Sequence, residues 1–254
     1  MARAAVSGRL TGRLAWRVAT LVESRAETAA ARTLVLDVPG WPGHLAGQHA
    51  DVRLTAPDGY STQRSYSLAA PPDGDRLELT VQRVPDGEVS PYLTDVLSPG
   101  DPLEIRGPVG GWFVWRPADP DPVLLVAGGS GIVPLMAMVR ARRAAAAGTP
   151  FRLVYSLRGP AELYYAGELR RPPAADAGVG VDYVYTRTAP PDWPRPPGRL
   201  TAADLDPDGH GPQAGPACFV CGPTGFVEAA ADLLVGLGHD PRRIRTERFG
   251  PTGG

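Results

Sequence analysis

Arg64-Ser65-Tyr66-Ser67 gathers a cation, an aromatic ring and two hydroxyls within one β-rich run. Side chains alternate along a strand, so Arg64 and Tyr66 share one face, with Ser65 and Ser67 on the other unless the strand bends. A cation for a pyrophosphate, a plate for a flat ring and a hydroxyl for a ring nitrogen are what a flavin nucleotide requires. Further along, Gly87-Glu88-Val89-Ser90-Pro91-Tyr92-Leu93 reads as a glycine turn entering a short helix over Pro91–Leu97. Ser90 is the expected N-cap and Pro91 the first helical residue. Free N–H groups at such a start attract an anion, so this segment could take the same pyrophosphate from its other side.

Gly128-Gly129-Ser130-Gly131-Ile132-Val133-Pro134 follows an apolar run, Val123–Ala127, and opens an alanine-rich helix. A glycine-rich turn between a strand and a helix is the context of a nucleotide diphosphate loop. It departs from GxGxxG, because Pro134 stands where the third glycine would be. Proline suits an early helical position, and the glycines still let backbone approach a diphosphate.

Cys218-Phe219-Val220-Cys221-Gly222-Pro223-Thr224 contains the only two cysteines. As a zinc half-site it lacks a second pair, and as a thioredoxin-like motif it fails because Thr224 replaces the second cysteine. Odd spacing sends the two thiols to opposite faces of a strand, which argues against a disulfide. Cys221 then falls at the carboxyl end of a parallel strand, where open α/β sheets bind ligands. Cys218 reads as buried and inert.

The elements that would position these residues fall into two regions. The first half reads as strands at Trp16–Glu23, Arg32–Val38, His49–Thr55, Gln63–Leu68 and Arg76–Val84, separated by Pro/Asp/Gly turns. That spacing predicts an antiparallel β-barrel or sandwich rather than βαβ units. After the proline-punctuated stretch 116–122, the strand Val123–Ala127 and the helix Pro134–Ala147 begin an alternation. It continues with a strand Phe151–Leu157, a helical stretch Ala161–Arg170, strands Val181–Thr186 and Cys218–Cys221, and a helix Phe226–Leu237. Alternation predicts an α/β doubly wound parallel sheet. The expected domains are 14–117, a flavin-binding barrel, and 118–254, a nucleotide-binding α/β domain.

Composition narrows the chemistry further. All 26 basic residues are arginine, which excludes a Schiff-base or P-loop lysine and leaves phosphates to arginine and backbone N–H groups. The net charge of −1 gives no footprint for nucleic acid or an anionic membrane. Two cysteines are too few for a four-cysteine iron–sulfur cluster, and His44, His49, His210 and His239 lack metal-ligand spacing, so no metal is expected. Arg17 interrupts the only apolar candidate for a secretory signal, and no stretch reaches a membrane span of about 20 residues. The expectation is a cytoplasmic protein with a loose N-terminus.

Together with the tail Glu247-Arg248-Phe249-Gly250, these motifs resemble, in order and spacing, the ferredoxin–NADP⁺ reductase superfamily, from about residue 14 to the end. The likeness is to stand-alone bacterial ferredoxin-reductase-like flavoproteins. The resemblance implies FAD as cofactor, with NADPH or NADH as substrate. Arg64 would pair with the flavin pyrophosphate, Tyr66 would stack on the isoalloxazine, and Ser67 would hydrogen-bond near its N5. Ser65, Val81, Arg83 and Gly87 would complete the flavin site, with Val89 and Ser90 closing over the diphosphate. Gly129, Ser130, Gly131, Ile132 and Pro134 would form the nicotinamide nucleotide's diphosphate loop, with Cys221, Gly222 and Pro223 beside the nicotinamide. Ser67, Cys221 and Glu247 form the implied catalytic set, and Phe249 would cover the second flavin face. Two departures stand out: five residues follow Phe249, and no iron–sulfur domain is expected within this sequence.

The implied activity is hydride transfer from NAD(P)H to FAD, then electron delivery to a separate redox protein such as a ferredoxin. Alternatives are a free-flavin or ferric reductase of the same fold, or an electron-transfer subunit or flavin sensor without independent turnover. Ser156-Leu157-Arg158 closes the second parallel strand with no acid before Glu162, and Arg187 closes the third. Arginines at that corner favour a 2′-phosphate, hence NADPH.

Overall fold

The computed structural model describes residues 14–171, 178–206, 213 and 215–250. The expected loose N-terminus (1–13), His210 and the last four residues lie outside them.

Six antiparallel strands form the first unit: β1 (Arg17–Thr28), β2 (Ala31–Asp37), β3 (His49–Thr55), β4 (Ser61–Ser67), β5 (Arg76–Gln82) and β6 (Pro102–Val109), in the order β4-β3-β6-β1-β2-β5. Alternation builds its core. Leu34 and Leu36 face Leu79 and Leu77 across the β2–β5 ladder, all at most 1% exposed. Each such leucine contributes about 1.5–3 kcal/mol by burial. The end strands β4 and β5 meet at a Leu68–Leu79 bridge and through Ala69 N–H donating to the Glu78 carbonyl at 2.8 Å. The sheet thereby closes at one corner.

Five parallel strands form the second unit: β7 (Val123–Gly128), β8 (Phe151–Leu157), β9 (Val179–Tyr185), β10 (Ala217–Pro223) and β11 (Ile244–Phe249), ordered β11-β10-β7-β8-β9. β7 is buried throughout, as expected of a central parallel strand. Helices α1 (Ile132–Ala144), α2 (Ala166–Leu169), α3 (Ala202–Leu205) and α4 (Thr224–Gly236) connect the strands. Chain order reverses between β7 and β10, which places the switch point of the doubly wound sheet at their carboxyl ends.

Two strands carry no clear local signal, and two sequence expectations are corrected. β6 was not foreseen; Pro102 opens it, and the Gly107-Pro108 pair disguises its alternation. β11 was recognised only as a motif, not as a strand. The expected helix Ala161–Arg170 is split into a turn at Pro160–Glu162 and α2, because Tyr165 adopts a left-handed conformation (φ 56°). A non-glycine residue there costs on the order of 1–3 kcal/mol and persists only where its surroundings hold it. Finally, the expected short helix is present, with a π-type segment at Tyr92–Val96, but Ser90 lies within its first turn and does not cap it; the Ser90 hydroxyl instead accepts from the Val84 N–H at 3.0 Å.

Candidate active site

The β3–β4 ladder sets Val52 opposite Arg64, Asp51 opposite Ser65, Ala50 opposite Tyr66 and His49 opposite Ser67. Ser65 is committed to the Asp51 carboxylate (2.6 Å), which also accepts from Arg106 (2.7 Å), so Ser65 lies on the face away from Arg64 and Tyr66. Tyr66 packs against the barrel core, and burial pushes its phenol up to about 12, so it remains neutral. Arg64 is exposed and donates to the Gln63 carbonyl (2.7 Å) and the Thr62 hydroxyl (3.3 Å); no carboxylate pairs with it among the described residues. A guanidinium without a counter-ion beside an aromatic plate suits a phosphate. Arg83, by contrast, is paired with Asp95 at 2.7 Å.

Val81 and Val89 are buried in the barrel core, so only their main chains could meet a ligand. Ser90 is also buried, and Gly87 N–H donates to the Val84 carbonyl at 3.0 Å. The five-residue π-type segment is too short for a helix dipole, so a phosphate here would rest on individual N–H groups. Next to Arg64 opens a cleft of about 610 Å³, lined among others by Tyr60, Thr62, Glu88 and Tyr92.

At the carboxyl ends of β7 and β8, Gly128, Gly129, Ser130, Ser156, Arg158 and Phe249 line a second cavity of about 220 Å³. Gly131 stands against β10: a Cβ there would lie 2.1 Å from the Cys221 carbonyl oxygen and 2.7 Å from the Gly222 nitrogen. The diphosphate loop and the Cys221-Gly222-Pro223 turn are thus locked backbone to backbone. Ile132 and Pro134 are buried behind the loop and shape it from inside. The Phe226 ring occupies the space that a side chain at Gly128 or Gly222 would need. Arg187 does not line the cavity; its N–H donates to the Arg158 carbonyl at 3.0 Å, while Thr186 and Glu162 do line it.

Both sets converge at one carboxylate. Glu247 sits opposite Cys221 in the β10–β11 register. Its Oε1 lies 3.8 Å from His49 Nδ1 of the barrel, and its buried Oε2 has no hydrogen-bond partner. Burial pushes the Glu247 carboxyl up to about 7 and depresses the His49 imidazole. Cys221, 1% exposed, belongs to the core that packs α1 onto the sheet, whereas Cys218 belongs to the core under α4, its Sγ 3.5 Å from His239 Nδ1. Burial raises both thiols.

The fold therefore gathers Gly129, Ser130, Ser156, Arg158, Pro223 and Phe249 on one cavity, and sets Arg64, through its bond to Thr62, at the edge of the larger cleft. Cys221 and Glu247 lie where the second sheet meets the barrel. The sequence reading missed His49, Phe226 and Gln82, the last also lining the smaller cavity. Pairing β3 with β4 through their Pro-Asp-Gly turn would have put His49 beside Ser67. Among the described residues, no group of His, Cys, Asp or Glu could hold a metal ion, and no helix is long and apolar enough to cross a membrane.

The fold and its two clefts define an oxidoreductase with a flavin domain and a nicotinamide-nucleotide domain. Residues 18–114 match the oxidoreductase FAD-binding domain family, and residues 125–232 match the oxidoreductase NAD-binding domain family. The chain belongs to the ferredoxin–NADP⁺ reductase superfamily and is an NAD(P)H-dependent flavoprotein oxidoreductase. It is 33% identical to the reductase subunit of an aromatic O-demethylase from an Amycolatopsis strain, covering 96% of this chain and 72% of that protein. It is 35% identical to the ferredoxin reductase component of a 3-ketosteroid-9-alpha-monooxygenase from Mycolicibacterium smegmatis, covering 92% and 64%. Against the glycine betaine monooxygenase reductase subunit of Pseudomonas aeruginosa, the chain spans 56% of the relative's length. Among solved structures, the FAD/NAD-binding domain of a Vibrio cholerae nitric oxide dioxygenase matches with a TM-score of 0.81 at 25% identity, covering 92% of this chain and 99% of that one. An Amycolatopsis cytochrome P450 reductase matches with 0.82 at 29%, covering 98% and 74%.

Proposed function

We propose that this chain is the reductase of a multi-component redox system, passing electrons from NAD(P)H through FAD to a separate redox protein, with its two units joined near residue 118. The observation that carries this reading is the meeting of the two units at Glu247, which stands opposite Cys221 in the second sheet and 3.8 Å from His49, the cross-strand neighbour of Ser67. The names of its relatives, reductase components of oxygenase systems, support a protein acceptor. Cytoplasmic residence, where reduced nicotinamide nucleotides are supplied, completes the proposal.

Arg64 and the main chain at Val89-Ser90 would hold the pyrophosphate, with Tyr66 and Ser67 at the flavin ring. The neighbouring cleft past Thr62 and Tyr60 offers room for an adenosine half, which supports FAD over FMN. When bound, the flavin supplies two-electron acceptance from nicotinamide and one-electron release. The protein's own part is to orient both rings and exclude water. The neutral Cys221 thiol packs beside the nicotinamide position without adding charge, and Glu247, poised near neutrality, can hold or release a proton at Oε2.

Purified protein should show oxidised-flavin absorption that bleaches anaerobically on adding NADPH. A colourless protein, or one that neither nucleotide bleaches, overturns the reading. Arg64→Ala should weaken FAD retention by about 10- to 150-fold, the equivalent of one charge-assisted contact of about 1.5–3 kcal/mol. Equilibrium dialysis against free FAD measures it.

NADPH is the proposed nucleotide, with Arg158 facing the 2′-phosphate and Glu162 opposing it from the same cavity wall. Arg158→Ala should lower the NADPH/NADH ratio of kcat/KM by about tenfold or more, and Glu162→Gln should raise it. A wild type that prefers NADH, or an unchanged ratio in Arg158→Ala, places the 2′-phosphate elsewhere.

A further inference from the structure

One guanidinium ties the helix that follows the diphosphate loop to the corner where the barrel sheet closes. Arg140 lies on α1, the helix that starts at the Gly128–Gly131 loop. Within its own unit it is gripped by the Glu168 carboxylate, Nε lying 3.2 Å from both oxygens, and Arg143 approaches the same carboxylate at 3.4 Å. From there Nη1 crosses into the barrel, donating to the Ala69 carbonyl at 2.9 Å and to Glu78 Oε2 at 3.1 Å. Those two acceptors form the corner where β4 and β5 close. Ala69 is two residues past Ser67, and Glu78 is three before Val81. The Arg140 side chain is 15% exposed, and its guanidinium stacks over the Tyr165 ring at 4.8 Å.

Tyr165 makes a second crossing. Its N–H donates to Glu27 Oε2 (2.9 Å) and its hydroxyl to Thr80 Oγ1 (2.6 Å), and Thr80 is bonded to Thr33 (2.8 Å). Thr33 also donates to Glu27 Oε1 at 2.7 Å, and the Tyr165 carbonyl accepts from the Glu168 and Leu169 N–H groups at 2.9 Å, so every polar atom of the inserted residue is met. This clasp explains why Tyr165 holds a left-handed backbone: the conformation aims its N–H and its ring at the barrel together. Arg25 shares Glu78 Oε2 at 3.0 Å from the barrel side. The clasp residues line neither cofactor cleft.

We propose that Arg140, clasped with Tyr165, is a positioning residue for hydride transfer, fixing the nucleotide loop of one unit against the flavin motif of the other. The proposal rests on the flavin–nicotinamide reading above. The test uses the full-length, FAD-loaded protein with Arg140→Met, Arg140→Lys and Tyr165→Phe. Anaerobic stopped-flow bleaching separates the limiting rate from nucleotide affinity, and scanning calorimetry reads whether the units unfold together. Arg140→Met should lower the limiting rate by about tenfold or more, because misplacing reacting atoms by 1 Å can cost about 10²-fold. Nucleotide affinity should stay within about twofold, a split that separates positioning from binding. Calorimetry should resolve one cooperative transition into two, and Arg140→Lys should recover part of both losses.

An unchanged limiting rate in Arg140→Met overturns the proposal. So does a rate loss matched by an equal loss of affinity with a single, lowered transition. If Arg140→Met fails to fold or loses FAD, Tyr165→Phe decides, since it removes one hydroxyl: a slowed limiting rate with FAD retained supports the clasp, and a wild-type rate overturns it. A wild type that no nucleotide bleaches sinks the functional reading instead, and the calorimetric transitions alone then decide the clasp.

Discussion

Gly131→Ala should abolish nucleotide-driven bleaching and lower the melting temperature by about 6–12 °C, a stability loss of about 3 kcal/mol for a chain of this size. The added methyl would sit 2.1 Å from the Cys221 carbonyl oxygen and 2.4 Å from its carbon. Both obstacles are backbone in β10, paired on both sides by β7 and β11, so neither can swing aside as a side-chain end would. To fit the methyl, the loop must lift away from Cys221-Gly222-Pro223, which opens the nucleotide cavity. Gly129→Ala is the internal control. Its Cβ would meet nothing within 4 Å, leaving only the left-handed backbone (φ 54°) as a penalty, about 1–2 kcal/mol. Calorimetry on both variants, with nucleotide titration by fluorescence, makes the comparison. A Gly131→Ala protein that melts with the wild type and binds nucleotide normally would show that the two turns are not locked.

Glu247 should make the protein lose stability as pH rises. Its carboxyl is about 7 in the folded chain against an ordinary 4.5, and burial is the cause. A folded-state value above the unfolded one means the native state binds the extra proton between those limits. The favourable contribution is therefore complete below about pH 4.5 and disappears as pH passes 7. Its size is on the order of 3 kcal/mol, from 1.36 kcal/mol per unit. His49, 3.8 Å away, works in the opposite sense: its depressed imidazole costs stability as pH falls below its ordinary range. Glu247→Gln isolates the carboxyl, since the difference between wild type and variant cancels His49 to first order. Urea melts at pH 5 and pH 8 should show the variant gaining about 2.5 kcal/mol relative to wild type between them. A constant difference across that range would mean that Glu247 is ionised in the folded protein. The same substitution should flatten the neutral-pH limb of the bleaching rate if Oε2 exchanges the proton.

Much of this was legible before any coordinates. His49–Thr55 and Phe151–Leu157 were read to the residue, because clean alternation and an apolar run bounded by turn residues are local signals. The diphosphate loop was legible for the same reason, its glycines lying between a buried strand and a helix. The split thiols of β10 followed from a period of two. What escaped was whatever depends on distant partners. β6 carries Pro102, Gly107 and Pro108, a local vote against a strand that pairing with both β1 and β3 overrides. The break at Tyr165 is set by Glu27 and Thr80, far away in sequence. The approach of Glu247 to His49 joins an edge strand of one sheet to a strand of the other, and neither residue carries a local mark of it. The same holds for Phe226, whose ring fits only because two separate turns lack side chains.

The burial of both cysteines bears on how this protein survives its own chemistry. Flavoproteins in air leak peroxide, and the thiolate is the form that peroxide attacks. Here burial pushes Cys218 up to about 12 and Cys221 well above its ordinary value, so thiolate is scarce at neutral pH, and the two sulfurs face different cores. The native fold therefore offers an oxidant almost no thiolate, and cysteine damage waits on breathing of the sheet. Each thiol becomes a clock for a different layer: Cys221 registers exposure beneath α1, and Cys218 exposure beneath α4. Under an alkylating agent their separate rates would reveal which side of the nucleotide domain comes apart first.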